Sequence, residues 1–267
     1  MTPLLSVRNV NKSFGQLKAV QAISLDVPAG VVTAVVGPNG AGKTTLFNCI
    51  SGVTKPDQAE ILLRRPGSQA PVALDQLRVE EICRLGIART FQQVRLFDSL
   101  SVIDNVVLGG LHLRKMGWIA TLFDRLFFDR RKHKQFREEA KHFLQQVGLE
   151  KHAHQLAGSL DHGNRRRLEI ARALAAKPLV LLLDEPAAGM NRIETDELQT
   201  LLRDLCKEGI GVLLIEHDMK LVMQLSNRVY VMDHGELLTF GTPEDVTSNP
   251  KVIEAYLGTT RQRYAAS

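Results

Sequence analysis

Little in these 267 residues belongs to a secreted or membrane-spanning chain. The three cysteines, Cys49, Cys83 and Cys206, are far apart and form no CxxC pair. That excludes a disulfide framework and a paired-cysteine zinc site, and it fits a reducing cytosol. Cys49 is expected to be a small buried residue. No apolar run approaches the roughly 20 residues that cross a bilayer. The opening MTPLLSVRNVNKSF lacks an apolar core followed by a cleavage site, so secretion is not expected. If the protein works at a membrane, another chain does the spanning. There is a single tryptophan, Trp118 in KMGWIATLF, expected to pack within its own segment. Internal repeats and low-complexity tracts are absent, which excludes solenoids. Strong charge imbalance is absent too: 34 Lys and Arg against 29 Asp and Glu leave a net +5, which suits a polyanionic ligand or an acidic membrane surface without requiring either.

What is present is the balance of a globular protein, 44% hydrophobic and 24% charged, enough to bury a full core in one domain or a domain with an inserted lobe. Residues 4–10 and 20–27 alternate apolar and polar, as in strands of a half-exposed antiparallel sheet. GVVTAVVG (30–37), PLVLLLDEP (178–186) and GIGVLLIEHD (209–218) are continuous apolar runs, the pattern of strands buried on both faces. Between the last two, Leu198, Leu201, Leu202 and Leu205 mark one face of a helix. Strand, helix, strand predicts a parallel α/β core. Residues 228–241 predict a hairpin around DHG. Residues 98–175 carry helical patterns, with an aromatic, basic stretch at 116–137. The expected organisation is a single domain over 1–267, with a catalytic α/β core from 1–97 and 176–267 and an inserted helical lobe over 98–175.

Chemistry begins at GPNGAGKTT: Gly37, Pro38, Asn39, Gly40, Ala41, Gly42, Lys43, Thr44 and Thr45. It satisfies G-x-x-x-x-G-K-[ST], after a buried strand and at the start of a helix. Backbone N–H groups turn inward around phosphate oxygens, the helix dipole adds to the same anion, Lys43 reaches the terminal phosphates and the Thr44 hydroxyl ligates Mg²⁺. The loop predicts a nucleoside triphosphate. LVLLLDEP then puts Asp184 and Glu185 at the end of a core strand, where open α/β sheets bind ligands. Asp184 is expected to hold Mg²⁺ through water and Glu185 to polarise the attacking water, though Asp-Glu-Pro alone could be a polar strand exit. His217 ends the next strand beside Glu185 and is expected at the γ-phosphate.

Phosphate loop, RTFQ, a glycine-containing helix start, LLLDEP, AAGMN and a histidine after the next strand, in that order, resemble the motif set of ABC ATPases. The resemblance covers almost the whole chain. It implies a P-loop NTPase of the ABC type, with a mainly parallel core sheet, an N-terminal antiparallel β region and an inserted helical lobe. It also implies ATP and Mg²⁺ as ligands, and a second ATPase subunit that closes head-to-tail to sandwich ATP. By position, Phe14 resembles the aromatic that stacks on adenine, with Val20 nearby. Gln92 resembles the glutamine that senses Mg²⁺ and water while touching the membrane partner. Gly189 and Asn191 fall in a loop that crosses the dimer interface. RTFQQVRLFDSLSVIDNV, RRLEIARAL, IEHDMKLVM and the tail GTPEDVTSNPKVIEAYLG are similar to the LivG-type ATPases of branched-chain amino-acid importers. That similarity implies transmembrane permease subunits, an extracytoplasmic binding protein acting indirectly, and a peripheral position on the cytoplasmic face of the inner membrane. Urea or amide importers share much of the pattern, and lipopolysaccharide-export ATPases resemble it more distantly. Soluble relatives acting on DNA or ribosomes usually carry long coiled-coil insertions or two ATPase halves, which this sequence lacks, so no nucleic-acid partner is expected.

In SLDHGNRRRLEIARAL, the residues Leu160, Asp161, His162, Gly163 and Asn164 stand where the family has LSGGQ, which points across the interface at the partner's γ-phosphate. Asp161 is the departure: an acceptor-only anion replaces a neutral donor. Either it opposes the phosphate, or it turns away as a helix N-cap, or Arg165 or Arg166 neutralises it. This oddity favours a heterodimer over a homodimer. Arg165, Arg166 and Arg167 are expected in or near the first helical turn, against the helix dipole, where an arriving polyanion would make them tolerable. The stretch FDRRKHKQFR (128–137) has two readings, a contact with lipid or permease and the commoner solvated face.

Overall fold

The computed structural model describes residues 2–68, 70–111 and 130–255. Alternation in the N-terminal segment builds an antiparallel layer. The first strand, β1 (Leu5–Phe14), buries Leu5, Val7 and Val10 and pairs with β2 (Leu17–Val27). On its other edge β1 pairs with β4 (Gln58–Leu63), which carries the short β5 (Val72–Ala73). β1 runs beyond residue 10 because a register shift after Val7, with Asn9 at φ 50°, absorbs the irregularity and lets pairing resume.

The continuous apolar runs become the second sheet. β3 (Val32–Val36), β7 (Val180–Asp184) and β8 (Gly211–Ile215) are buried at every position. The order is β10-β9-β3-β8-β7-β6, with β9 (Arg228–Asp233) and β10 (Glu236–Gly241) as the expected hairpin and all other pairings parallel. Helix α2 (Val79–Leu85) leads into β6 (Ile87–Arg89) at the far edge. With two residues in β5 and three in β6, neither strand is long enough to carry a period.

Side chains alternate across this sheet and feed three hydrophobic clusters, the smallest joining Ala34 and Val36 of β3 to Val229 and Val231 of β9. Val180, Leu182, Leu213 and Ile215 face helix α1 (Lys43–Ile50) and the antiparallel layer. Fully buried Phe47 fixes α1 there, a burial worth roughly 1.5–3 kcal/mol. Leu181, Leu183, Val212 and Leu214 belong to another cluster. That cluster also holds residues of α3 (Val102–Gly109), α4 (Arg130–Gln146), α5 (His162–Leu174) and α6 (Arg192–Lys207), among them Val106, Leu144, Leu168 and Leu202. The helical segment thus shares its core with the sheet. Trp118 and residues 128–129 of the basic stretch lie outside the described residues; within the rest, Arg137 pairs with Asp104 at 2.8 Å and ties α4 to α3.

Parallel pairing aligns Arg89 with Leu182 and Asp184 with Ile215, so the strands end together. The segments 37–42, 90–92, 185–191 and 216–218 therefore gather at one sheet edge.

Candidate nucleotide-binding and hydrolysis site

The turn from β3 into α1 admits only glycine at two points. A Cβ on Gly37 (φ 150°) would lie 2.0 Å from the Met232 carbonyl oxygen, and one on Gly42 (φ 94°) 2.1 Å from that of Ala19. The loop is packed from behind by β9 and β2, which leaves Asn39, Gly40 and Thr44 exposed on its open side. Lys43 folds back over the loop, its Nζ donating to the carbonyls of Gly37 at 2.7 Å and Pro38 at 2.9 Å. Burial lowers its pKa, opposed by the negative charges of Glu185 and Asp184. A desolvated ammonium held by neutral carbonyls is poised to exchange them for phosphate oxygens.

Asp184 is buried at the end of β7. Burial raises its pKa, opposed by Arg89, whose Nη2 donates to Oδ2 at 3.2 Å. The same guanidinium donates to Asn48 Oδ1 at 2.7 Å and Ser51 Oγ at 2.9 Å, tying α1 to β7 beneath the phosphate loop. Glu185 sits at φ 49°, a left-handed backbone rare for a residue with a Cβ and costing about 1–3 kcal/mol. Its N–H still donates to the Ile215 carbonyl at 3.0 Å, which fixes the turn and aims the carboxylate at the sheet edge. There Gln92 Nε2 lies 3.5 Å from Oε2 and His217 Nδ1 3.8 Å from Oε1. One buried and one partly open carboxylate, an amide and an imidazole thus converge near the ammonium of Lys43. This is an arrangement for holding a phosphate chain and orienting water against it.

The helix α5 starts at His162, with Asp161 as N-cap: Oδ1 accepts the Asn164 N–H and Oδ2 accepts Asn164 Nδ2, both at 2.8 Å. The three arginines therefore stand at the fourth to sixth helical positions, and each has a partner within the chain. Arg165 pairs with Asp98 at 2.7 Å and Arg167 with Glu197. Arg166, buried, donates to the Phe91 carbonyl at 2.6 Å, to the Gln92 carbonyl and to Glu169 Oε2 at 3.2 Å. Glu169 Oε1 in turn accepts the Phe91 N–H at 3.2 Å. No arriving polyanion is needed to account for this cluster.

A family model described as ABC transporter matches residues 20–188, from β2 to the loop beyond Glu185. The high-affinity branched-chain amino acid transport ATP-binding protein LivG of Escherichia coli (strain K12) is 44% identical over 96% of this chain and 98% of its own. The chain belongs to the ABC transporter family. A second model, Branched-chain amino acid ATP-binding cassette transporter, matches residues 236–261 of this ABC ATPase. The lipopolysaccharide export system ATP-binding protein LptB of Acidithiobacillus ferridurans is 35% identical over 97% of this chain and 98% of its own. Among solved structures, the ADP conformation of MJ1267, an ATP-binding cassette of an ABC transporter, superposes with TM-score 0.82 at 30% identity, over 97% of this chain and 100% of that one.

Within this ABC ATPase, Lys43, Thr44, Gln92, Asp184, Glu185 and His217 lie at the same sheet edge. Leu160–Asn164 and the loop of Gly189 and Asn191 meet each other instead. A Cβ on Gly189 would come 3.1 Å from the His162 ring, and one on Gly163 2.2 Å from Glu194 Oε1. Asn191 caps α6, accepting the Glu194 N–H at 3.0 Å, while Glu194 Oε2 accepts the Asn191 N–H at 2.8 Å. Phe14 stands exposed, with Lys12 Nζ 5.4 Å from its ring centroid. Val20 departs from its expected role: at 1% exposure it is a core residue with no surface to offer a base, because its position in β2 faces α1. Sequence reasoning missed Arg89, Glu169 and Glu216, and it named Arg166 without its role of holding the Phe91 and Gln92 backbone. For Arg89, Glu169 and Glu216 the one sequence signal is a charge directly following apolar residues; Arg166, between two other arginines, carries none.

Proposed function

We propose that this chain binds ATP·Mg²⁺ and hydrolyses it to drive an importer of branched-chain amino acids, working peripherally at the cytoplasmic face of the inner membrane. The observation that carries the reading is the convergence of Lys43, Asp184, Glu185, Gln92 and His217 in a chain whose C-terminal segment matches the branched-chain amino acid cassette model. The donors fit the metal. The Thr44 hydroxyl, the Asp184 carboxylate and the Gln92 amide oxygen are hard ligands suited to Mg²⁺. Arg89 occupies Oδ2 of Asp184 and leaves Oδ1 for a metal-bound water. When bound, Mg²⁺ neutralises charge on the β- and γ-phosphates. Lys43 trades its loop carbonyls for the terminal phosphates, Glu185 and Gln92 orient and polarise the attacking water, and His217 holds the γ-phosphate. Phe14 stacks on adenine.

The partners are transmembrane permease subunits, a second ATPase subunit and, indirectly, an extracytoplasmic binding protein. A cleft of about 280 Å³ between core and helical segment, lined by Arg89, Phe97, Leu108 and Arg172 next to the Gln92 loop, supports a permease contact there. A heterodimer is favoured because Asp161, although it caps the helix through Asn164, still puts an anion in place of a neutral donor where a partner's γ-phosphate would arrive. Like charges at close range there cost on the order of 1–4 kcal/mol. Sedimentation of Glu185→Gln with ATP, with and without Asp161→Ser, tests this: dimers only with serine support a different ATPase partner, and dimers with Asp161 in place contradict it. The transport substrate is tested by comparing leucine, valine and urea as stimulants of ATP hydrolysis in the assembled complex. Stimulation by urea and by neither amino acid would overturn the assignment. The lower identity to the lipopolysaccharide-export relative, 35% against 44%, weighs against export.

A further inference from the structure

One buried acid has no part in the reading above. Glu216 follows the last residue of β8 and is 1% exposed, yet no lysine or arginine pairs with it among the described residues. Its oxygens are divided between two loops. Oε1 accepts the Ala187 N–H at 3.2 Å, in the segment between Glu185 and Asn191, and Oε2 accepts the His217 N–H at 3.1 Å. The His217 Nδ1 lies 3.8 Å from the same Oε2 and 3.8 Å from Glu185 Oε1. The position explains the need. Parallel pairing of β7 with β8 ends at Asp184 and Ile215, and Glu185 then turns left-handed, so the two chains diverge where the site requires them fixed. Past the Glu185 N–H bond to the Ile215 carbonyl, the Glu216 carboxylate bridges the two segments. A buried carboxylate without a counter-cation is costly, and it is tolerated here only by the N–H groups it accepts. The Ala187 loop continues to Gly189, which packs on the His162 ring, so its placement is also felt at the start of α5.

We propose that Glu216 is a positioning residue for ATP hydrolysis: by accepting the Ala187 N–H from one loop and the His217 and Asp218 N–H groups from the other, it sets the reach of the His217 ring toward Glu185 and the γ-phosphate. This rests on the reading of His217 as a γ-phosphate contact. Glu216→Gln is nearly isosteric, but its amide must turn an NH₂ toward the N–H donors of one loop, so the stitch between the loops is lost without a change in volume.

The test is a double-mutant cycle in the assembled transporter, with turnover, KM for ATP and melting temperature measured for the parent, Glu216→Gln, His217→Ala and the pair. Glu216→Gln is expected to lower kcat about 10-fold to 100-fold, the cost of a displaced catalytic group, with KM for ATP within about twofold of the parent. In the His217→Ala background the same substitution is expected to lower the residual kcat by less than about twofold, because Glu216 acts through that ring. Parental kcat in Glu216→Gln beside a crippled His217→Ala overturns the proposal alone. So do losses that multiply in the pair. Parental turnover in His217→Ala overturns the reading of His217, and the proposal falls with it. Should Glu216→Gln fail to assemble, Glu216→Asp, which keeps both acceptor oxygens on a shorter stem, takes its place in the cycle with the same outcomes.

Discussion

Replacing Arg166 by methionine separates the two tasks of the buried Arg166–Glu169 pair. The two side chains are 5% and 1% exposed, and together they hold the Phe91 N–H and the carbonyls of Phe91 and Gln92. Burial raises the pKa of Glu169, opposed by the Phe91 N–H, Arg166 and Arg172. Arg166→Met leaves that carboxylate buried with its bonded cation gone, and breaking a buried pair in this way costs about 3–5 kcal/mol. At roughly 2–4 °C per kcal/mol, the melting temperature of the isolated chain should fall by about 6–20 °C. Removing both charges in Arg166→Met/Glu169→Leu should recover most of that loss, since apolar replacements of a buried pair are often neutral. ATPase activity should not recover, because nothing then holds the backbone of Phe91 and Gln92, and the Gln92 amide leaves Glu185. The assays are thermal melting of the isolated chain and steady-state hydrolysis by the complex. A double variant with parental hydrolysis would refute the argument that the pair positions Gln92. A single variant that melts with the parent would refute the argument that the pair is energetically coupled.

Three further outcomes follow from the same geometry. Lys43→Met should leave the nucleotide-free chain within about 1 kcal/mol of the parent, because the ammonium it removes is desolvated and held by neutral carbonyls; ATP should then no longer raise the melting temperature, whereas the parent gains about 2.7 kcal/mol at a hundred times Kd. Gly37→Ala should destabilise far more than Gly163→Ala in urea melts, since the first meets the Met232 backbone and the second the movable end of Glu194, at a cost near the 0.5–2 kcal/mol of a lost cap. Burial raises the pKa of Glu216, so the folded chain holds its proton to higher pH than the unfolded chain does; stability linked to Glu216 is full below the ordinary carboxylate range and is lost as pH rises through the raised pKa. Glu216→Gln lacks that slope, so urea melts from pH 4 upward should show the variant gaining on the parent as pH rises, and a constant gap would contradict the shift.

The parts legible in the sequence were those whose physics is local. β3, β7 and β8 announced themselves because a strand covered on both faces needs an unbroken apolar run, and the phosphate loop because its glycines and Lys43 are fixed by spacing. What stayed hidden depends on partners distant in sequence. Arg166 read as a charge opposing a helix dipole, yet it lies beyond the first turn and binds a loop some 75 residues upstream. Val20 read as a residue near the adenine-stacking Phe14, and β2 turns its side chain into the core. Glu216 stood in plain view in LLIEHD, and only the divergence of two strands after Asp184 and Ile215 gives its carboxylate a task. Asp161 was readable as a cap, but both of its oxygens bonding Asn164 could not be inferred from spacing.

The most direct test of the central claim is leucine-dependent ATP hydrolysis by the complete transporter, with parental chain and with Glu185→Gln. The account predicts hydrolysis that rises with leucine and falls at least about 100-fold in the variant, as removal of a water-orienting group does. Hydrolysis indifferent to leucine and its analogues, or surviving intact in Glu185→Gln, would contradict it.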